Sequence, residues 1–384
     1  MNKVLILTEF FPPNNSGVSQ SVKRLFDLLQ HHHHSNISVA VIEPLTDAYY
    51  YPQFWDERIN NITIWHINVG KNRPLSTPED IRVSEYMLKE IVLTNSIDII
   101  HAYNIFNAGY IAYRLYVQCN IPYVLSIRGN DLTRRLYNYP DLFAQTLIIN
   151  NARIITCVNG FLQKCLIQNF PDVIDKTRVI YNSILPEKSW MDYLSKRGEL
   201  RKEYNVNNKF VFAYIGEVKE KKQTMMLIDA FMHFNKQYKD TKLYIVGYVY
   251  QEEQSLLSKL LKLCADIVYV PKVTHEEVGK FFAIADAFVQ ISYDDGLPNT
   301  LLEAMYMQVP IVTSSIFSDF LSNGQTALLT NPFSKKELLN NLSMVYLDSH
   351  LRKKLVFSSQ KLIQDILSTQ KEYLSYIATY EEIQ

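Results

Sequence analysis

Short apolar runs rich in β-branched residues recur through the first half of the chain, at residues 4–8, 37–42, 62–67, 99–102, 123–127, 154–158 and 179–181. Stretches with apolar residues at helical spacing, such as 22–29 and 110–118, fall between several of them. A strand buried on both sides has no polar face to show, so uninterrupted apolar strands alternating with helices predict a parallel sheet covered on both faces. After a polar stretch at 185–208 the same grammar restarts at 210–215, 243–246, 267–270, 287–291, 310–313 and 327–329. The restart repeats architecture without repeating sequence, which predicts a second Rossmann-like sheet rather than a solenoid. The linker is expected near 185–197. From 351 to 384 no strand-like run occurs, and Leu, Ile and Tyr recur at helical spacing, which predicts one or two terminal helices.

Length agrees with this division, since 384 residues exceed one ordinary core and suit two domains of roughly 150–200 residues. The expected organisation is an α/β N-terminal domain over 1–185, an α/β C-terminal domain over 186–365, and a helix over 366–384 that can pack back on the N-terminal domain. Lys+Arg and Asp+Glu number 39 each, so there is no basic excess to exploit counterion release on nucleic acid. Cys119, Cys157, Cys165 and Cys264 are scattered without CxxC spacing, which suits a reducing cytoplasm. The opening apolar run is followed at once by Glu9, with no small-residue cleavage site, and reads as a buried strand rather than a secretion signal. No window approaches 18 apolar residues, so no bilayer-spanning helix is expected and peripheral contact with the inner face of a membrane is left open. The four consecutive histidines at 31–34 lie between a helix and a strand and read as a solvated loop.

Neither half contains GxGxxG, and the chain has only 11 glycines, which removes most support for a nicotinamide or flavin enzyme. GxxxxGK[ST] and GxSxG are absent as well. The most informative stretch runs from Asp294 to Met305, directly after the strand 287–291. A strand, a Gly/Pro turn and a helix start make a ligand crevice at the carboxyl end of a sheet. Gly296, Leu297, Pro298, Asn299 and Thr300 mark that helix start, where the exposed backbone N–H groups and a macrodipole of about half a positive charge suit a diphosphate. Asp295 precedes the helix and Glu303 falls in its first turn, so both can face one ligand. Taken locally, Thr300 with Glu303 is also a capping box, and Asp295 is also a turn residue. Adjacent Asp294 and Asp295 lack DxD spacing, and no metal is expected.

The segment DGLPNTLLEAM, from Asp295 to Met305, resembles the E-x7-E motif of retaining GT-B glycosyltransferases of the glycogen-synthase-like family 4, usually written EG-LPN-LLEAM. Other segments are similar to that family in the expected order. VLILTEFFPPNNSGV resembles its opening strand and glycine loop, IDIIHAYN its aspartate-histidine strand, and IPYVLSIRGND the strand leading to its active-site loop. NNARIITCVNG and RVIYNSI resemble the region before its linker, FAYIGEVKEKKQTMMLIDAF its phosphate-contacting GR-x4-K segment, and LYIVG the next strand. The resemblance covers nearly the whole chain and implies two Rossmann-like domains facing a central cleft. The motif at 295–305 is specific, whereas the other segments are individually weak.

By that resemblance, Glu303 binds the nucleotide ribose, Asp295 the donor sugar and Lys222 the leaving diphosphate, and Gly17 and Gly216 let backbone approach the donor. Arg128 stands where the family often has an active-site histidine, and His101 matches a histidine often found at a strand end. Each has a plainer reading: Lys222 a solvated charge, Gly17 a turn glycine, Arg128 a partner of Asp131, His101 a packing residue. Two departures stand out, Asp in place of the first glutamate and Glu217 in place of the family arginine. The implied reaction is retaining, metal-independent transfer of a hexosyl group from a nucleoside diphosphate sugar, with no cofactor, to a saccharide or lipid-linked acceptor. The alternatives are a catalytically weak or inactive nucleotide-sugar-binding protein of the same fold and, less favoured, a sugar-nucleotide epimerase.

Overall fold

The apolar runs of the first half all become strands of one sheet. The computed structural model describes residues 2–12, 17–32, 36–45, 51–60, 62–70, 77–137 and 139–383. His33 and His34 of the histidine run lie outside the described residues. The chain forms two units: Met1–Asn182 with Thr369–Gln384, and Ser183–Ser368.

In unit 1 the order is β1 (Val4–Thr8), α1 (Gly17–His31), β2 (Ile37–Glu43), β3 (Gln53–Ile59), β4 (Ile62–Asn68), α2 (Pro78–Thr94) and β5 (Ile99–Tyr103). It continues with α3 (Ala108–Cys119), β6 (Tyr123–Ile127), α4 (Asn130–Leu136), α5 (Tyr139–Asn151), β7 (Ile154–Cys157), α6 (Gly160–Asn169) and β8 (Thr177–Val179). The sheet runs β3-β4-β2-β1-β5-β6-β7-β8. Its strands pair in parallel except β3, which is antiparallel to β4. The expected parallel sheet thus carries one antiparallel strand at its edge. Exposed Asp56, Glu57 and Arg58 break the apolar signal of β3, and such charges suit an edge strand because they discourage pairing with a further chain. The last strand also ends earlier than expected, although the Ile180 amide still donates to the Cys157 carbonyl at 2.9 Å.

Unit 2 begins with two helices, α7 (Trp190–Ser195) and α8 (Arg197–Glu203), inside the stretch expected to be a linker. The polar majority there hides anchors: Trp190 is fully buried and Leu200 and Val206 are buried with it. Next come β9 (Phe210–Ile215), α9 (Thr224–Gln237), β10 (Thr241–Val246), α10 (Gln251–Leu263), β11 (Ile267–Val270), α11 (His275–Ile284) and β12 (Ala287–Gln290). The unit closes with α12 (Asn299–Tyr306), β13 (Ile311–Ser314), β14 (Leu328–Thr330), α13 (Lys335–Leu347) and α14 (Ser349–Asp365). Its sheet is wholly parallel, in the order β11-β10-β9-β12-β13-β14. Phe212, Phe231, Phe234, Leu243 and Val289 form the centre of its core.

The terminal helix α15 (Thr369–Glu381) returns to unit 1. Its Tyr373, Tyr376 and Tyr380 join the core built by β1, β2 and α1. Polar ties beneath it are buried. Arg24 of α1 donates through Nε to Glu372 Oε2 at 2.7 Å and through Nη2 to Glu372 Oε1 at 2.9 Å. No helix among the described residues is long and apolar enough to cross a membrane.

Candidate active site

Numbered within unit 2, the strand order is 3-2-1-4-5-6, and it reverses between β9 and β12. Loops leaving the carboxyl ends of two such strands diverge in opposite directions and leave a crevice, the usual ligand position in a doubly wound sheet. The GEVKEKK loop follows β9 and the Asp294 to Asn299 segment follows β12, so the motif stretch sits at this switch point.

The two loops are tied together. Ser292 Oγ donates to the Lys221 carbonyl at 3.0 Å, and the Tyr293 amide donates to the same oxygen at 3.2 Å. The Ser292 amide donates to Ser314 Oγ at 2.6 Å. Lys222 Nζ makes an ion pair with Asp295 Oδ2, and Lys221 Nζ stands 3.9 Å from Oδ1. Burial alone would raise the Asp295 carboxyl, but Lys222 and Lys221 outweigh it and the net shift is downward. Burial pushes the Lys221 ammonium down against the pull of Asp295. A buried anion held by two lysines thus lies beside the start of α12. Lys222, which is buried, is not the solvated charge of the plainer reading.

Pro298 occupies the N-cap of α12 and brings no capping side chain. Thr300 Oγ1 faces Gln290 Oε1 at 3.4 Å, so the Thr300–Glu303 capping box does not form. Glu303 lies beyond the first turn, contrary to expectation, and is buried. Its Oε1 meets His275 Nε2 at 3.0 Å, and among the described residues its Oε2 is buried without a hydrogen-bond partner. Burial favours neutral His275, but Glu303 and Glu187, the latter 2.8 Å from Nδ1, outweigh it and raise the ring to about 9. His275 and Glu187 were not singled out by the sequence. The visible signal, Thr274 and Glu277 forming a capping box, marks His275 only as a helix start.

Because this pKa is raised from 6.5, the stability His275 contributes is full below about pH 6.5 and is lost as pH rises through about 9. The gap in thermal midpoint between wild type and His275→Gln should therefore be wider at about pH 6 than at about pH 8 and should have narrowed by about pH 10.

Gly216, at φ 150°, ends β9, and Gly247, at φ 143°, ends β10. A Cβ at Gly247 would lie 2.1 Å from the Gly216 carbonyl oxygen. Gly247→Ala combines a left-handed strain with a backbone clash, and chemical denaturation should show a loss of about 2–5 kcal/mol. Glu217, where the resemblance implies an arginine, pairs with Lys219, whose ammonium also lies 5.4 Å from the Tyr250 ring centre.

The remaining expected residues belong to unit 1. Gly17 opens α1 at that unit's own switch point, between β1 and β5, and a Cβ there would meet open space, so no protein contact demands the glycine. His101 is fully buried, with Nδ1 2.7 Å from the Tyr380 hydroxyl and Nε2 2.7 Å from Ser126 Oγ. Burial, aided by Arg128, lowers it to about 3. It is a neutral residue of the core under α15, which matches the plainer packing reading of its place in the chain. Arg128 donates to the Tyr376 hydroxyl at 3.1 Å and to Asn182 Oδ1 at 2.6 Å, and lies 5.0 Å from the Tyr103 ring centre. Its guanidinium is engaged in these ties within unit 1. Asp131 accepts instead from the Arg128 and Gly129 backbone amides, at 3.1 and 2.8 Å. Among the described residues no three His, Cys, Asp or Glu side chains converge as a metal site.

Residues 196–361 match the model for glycosyl transferases group 1, and residues 16–188 match that for glycosyltransferase family 4. The Bacillus subtilis protein YtcC is 23% identical over 73% of this chain and 71% of its own length. A Campylobacter jejuni α-1,4-N-acetyl-D-galactosaminyltransferase, whose name specifies an undecaprenol-diphosphate-linked saccharide, is 25% identical over 43% of this chain and 47% of its own. The crystal structure of Anabaena HepE in complex with UDP aligns over 99% of this chain and 100% of that one, with TM-score 0.76 and 17% identity. The chain is therefore a glycosyltransferase of GT-B fold, built from family 4-like and group 1 glycosyltransferase domains.

Proposed function

We propose that this glycosyltransferase moves a hexosyl group from a nucleoside diphosphate sugar to an acceptor hydroxyl with retention at the anomeric carbon. The observation that carries the proposal is the switch-point cluster of unit 2, where the Asp295–Lys222 pair and Glu303 flank the start of α12, whose N-cap Pro298 supplies no capping side chain. In this reading the α12 amides and Lys222 take the diphosphate, the Glu303 oxygen without a protein partner accepts from a ribose hydroxyl, and Asp295 meets the sugar. The bond from the anomeric carbon to the β-phosphate oxygen breaks, and the acceptor oxygen bonds to that carbon on the same face. The acceptor proton passes to the departing phosphate. Positive charge placed where the leaving oxygens develop negative charge lowers the barrier without a metal. The name of the Campylobacter relative favours a lipid-linked saccharide acceptor, with peripheral membrane contact as its corollary.

Incubation of the purified chain with UDP-, GDP- and ADP-hexoses and lipid-linked or free saccharides, read by NMR of the product, tests this. A new glycosidic bond with the donor's anomeric configuration is expected, and an inverted product would overturn the mechanism. A second reading, a donor-binding protein with little turnover, is favoured by Glu217, which puts an anion where a phosphate-binding arginine is expected and pairs with Lys219. Saturable donor binding with no transfer to any acceptor would select it.

A further inference from the structure

Glu303 is not held by its own helix. Its single protein partner among the described residues is the His275 ring, and that ring is gripped on its other side by Glu187. A neutral imidazole carries one N–H and satisfies one of two carboxylates, leaving the other facing a lone pair. Two carboxylate oxygens at 2.8 and 3.0 Å on opposite nitrogens are both satisfied by the imidazolium, with both N–H groups donating.

The ring's place is built. Trp190 packs on it with ring centres 5.0 Å apart, and the Trp190 indole donates to the Glu276 carbonyl at 3.1 Å. Gly279, one turn along α11, is shaped to the same indole, since a Cβ there would fall 2.4 Å from Trp190 Cδ1. Tyr306 of α12 also neighbours the indole, its ring centre 6.5 Å from that of Trp190. One indole thus fixes α7, α11 and α12 around the histidine, and this accounts for a fully buried tryptophan in an otherwise polar stretch.

We propose that His275 is a positioning residue for donor binding, which with Glu187 occupies one oxygen of Glu303 and so directs the other to the ribose hydroxyls of a nucleoside diphosphate. The proposal rests on the reading of Glu303 as the ribose acceptor. It predicts a specific loss: a His275 variant should forfeit discrimination for the ribose hydroxyls rather than affinity in general. A merely structural histidine would weaken ribo- and dideoxyribonucleotides alike.

The test is calorimetric titration of the full chain with UDP, GDP and ADP against their 2′,3′-dideoxy counterparts, using wild type, Glu303→Gln, His275→Gln and Glu187→Gln. Wild type should prefer the ribo form of its nucleotide by about 100-fold, as expected where a buried polar group is built for a hydroxyl. Glu303→Gln should lose most of that ratio. His275→Gln should cut it at least about fivefold, and Glu187→Gln, in which the histidine remains, about two- to threefold. Should His275→Gln not fold, Glu187→Gln carries the test. A ratio that collapses in Glu303→Gln but stays at the wild-type value in the other two overturns the role of His275 and leaves the Glu303 reading standing. No ribo preference in wild type, or one untouched by Glu303→Gln, overturns both.

Discussion

Lys222→Met should lower kcat/KM for glycosyl transfer by about 100- to 1,000-fold, the usual loss when one preorganised donor to a developing oxyanion is removed. The size follows from placement: Lys222 is buried at the switch point, beside the start of α12 and in contact with Asp295. A solvated lysine would be replaced by water at little loss, whereas here the charge stands where water is largely excluded. The substitution also affects folding, because truncating one partner of a buried pair leaves the other charge poorly compensated, at about 3–5 kcal/mol. Lys221, 3.9 Å away, offsets part of this. The double variant Lys222→Met/Asp295→Asn should recover much of the stability and none of the activity, which separates the two effects. Asp295 is depressed in the folded state, so its contribution holds at neutral pH and is lost as pH falls through its folded value. Below about pH 4 the stability gap between wild type and Asp295→Asn should shrink.

Arg24→Met should destabilise unit 1 by about 3–5 kcal/mol and release α15 to proteolysis. The Arg24–Glu372 pair is bidentate and almost wholly inaccessible, with side chains 5% and 2% exposed. It is the buried ionic tie between α1 and a helix 348 residues later. Removing only the arginine strands the glutamate beneath α15, next to Tyr373 and Tyr376. Adding Glu372→Leu should recover much of the loss, because an apolar pair needs no compensation. Urea unfolding with limited proteolysis of the tail reads both quantities. Unaltered protection of residues beyond 369 in Arg24→Met would show that the tyrosines alone hold the helix.

What could be read from the chain divides along the range of the forces involved. Strands β1, β6, β9 and β11 begin and end where their apolar runs do, because a parallel strand buried on both faces writes its burial into consecutive residues. Strand β3 could not be read so, since an edge strand is selected for the charges that hide it. The polar 185–208 stretch misled for a related reason: Trp190 does the work of several apolar residues, and composition averages it away. The candidate site shows the same limit. Asp295 and Glu303 were expected from one local motif and Lys222 from a separate segment, and the structure brings Lys222 against Asp295. Arg128 and His101 look like strand-end functional groups, but their partners, Tyr376 and Tyr380, lie 248 and 279 residues further on, and no local pattern announces that α15 will cover them. His275 was invisible for the converse reason, being an ordinary helix start that becomes significant only when folding brings Glu303 against it.

Equilibrium titration of wild type, Lys222→Met and Asp295→Asn with UDP, GDP and ADP decides whether the β9/β12 switch point of unit 2 is the donor diphosphate site. Saturable binding of one nucleoside diphosphate by wild type is predicted, weakened at least about tenfold in Lys222→Met. Binding that is absent from wild type, or equally tight in both variants, would contradict it.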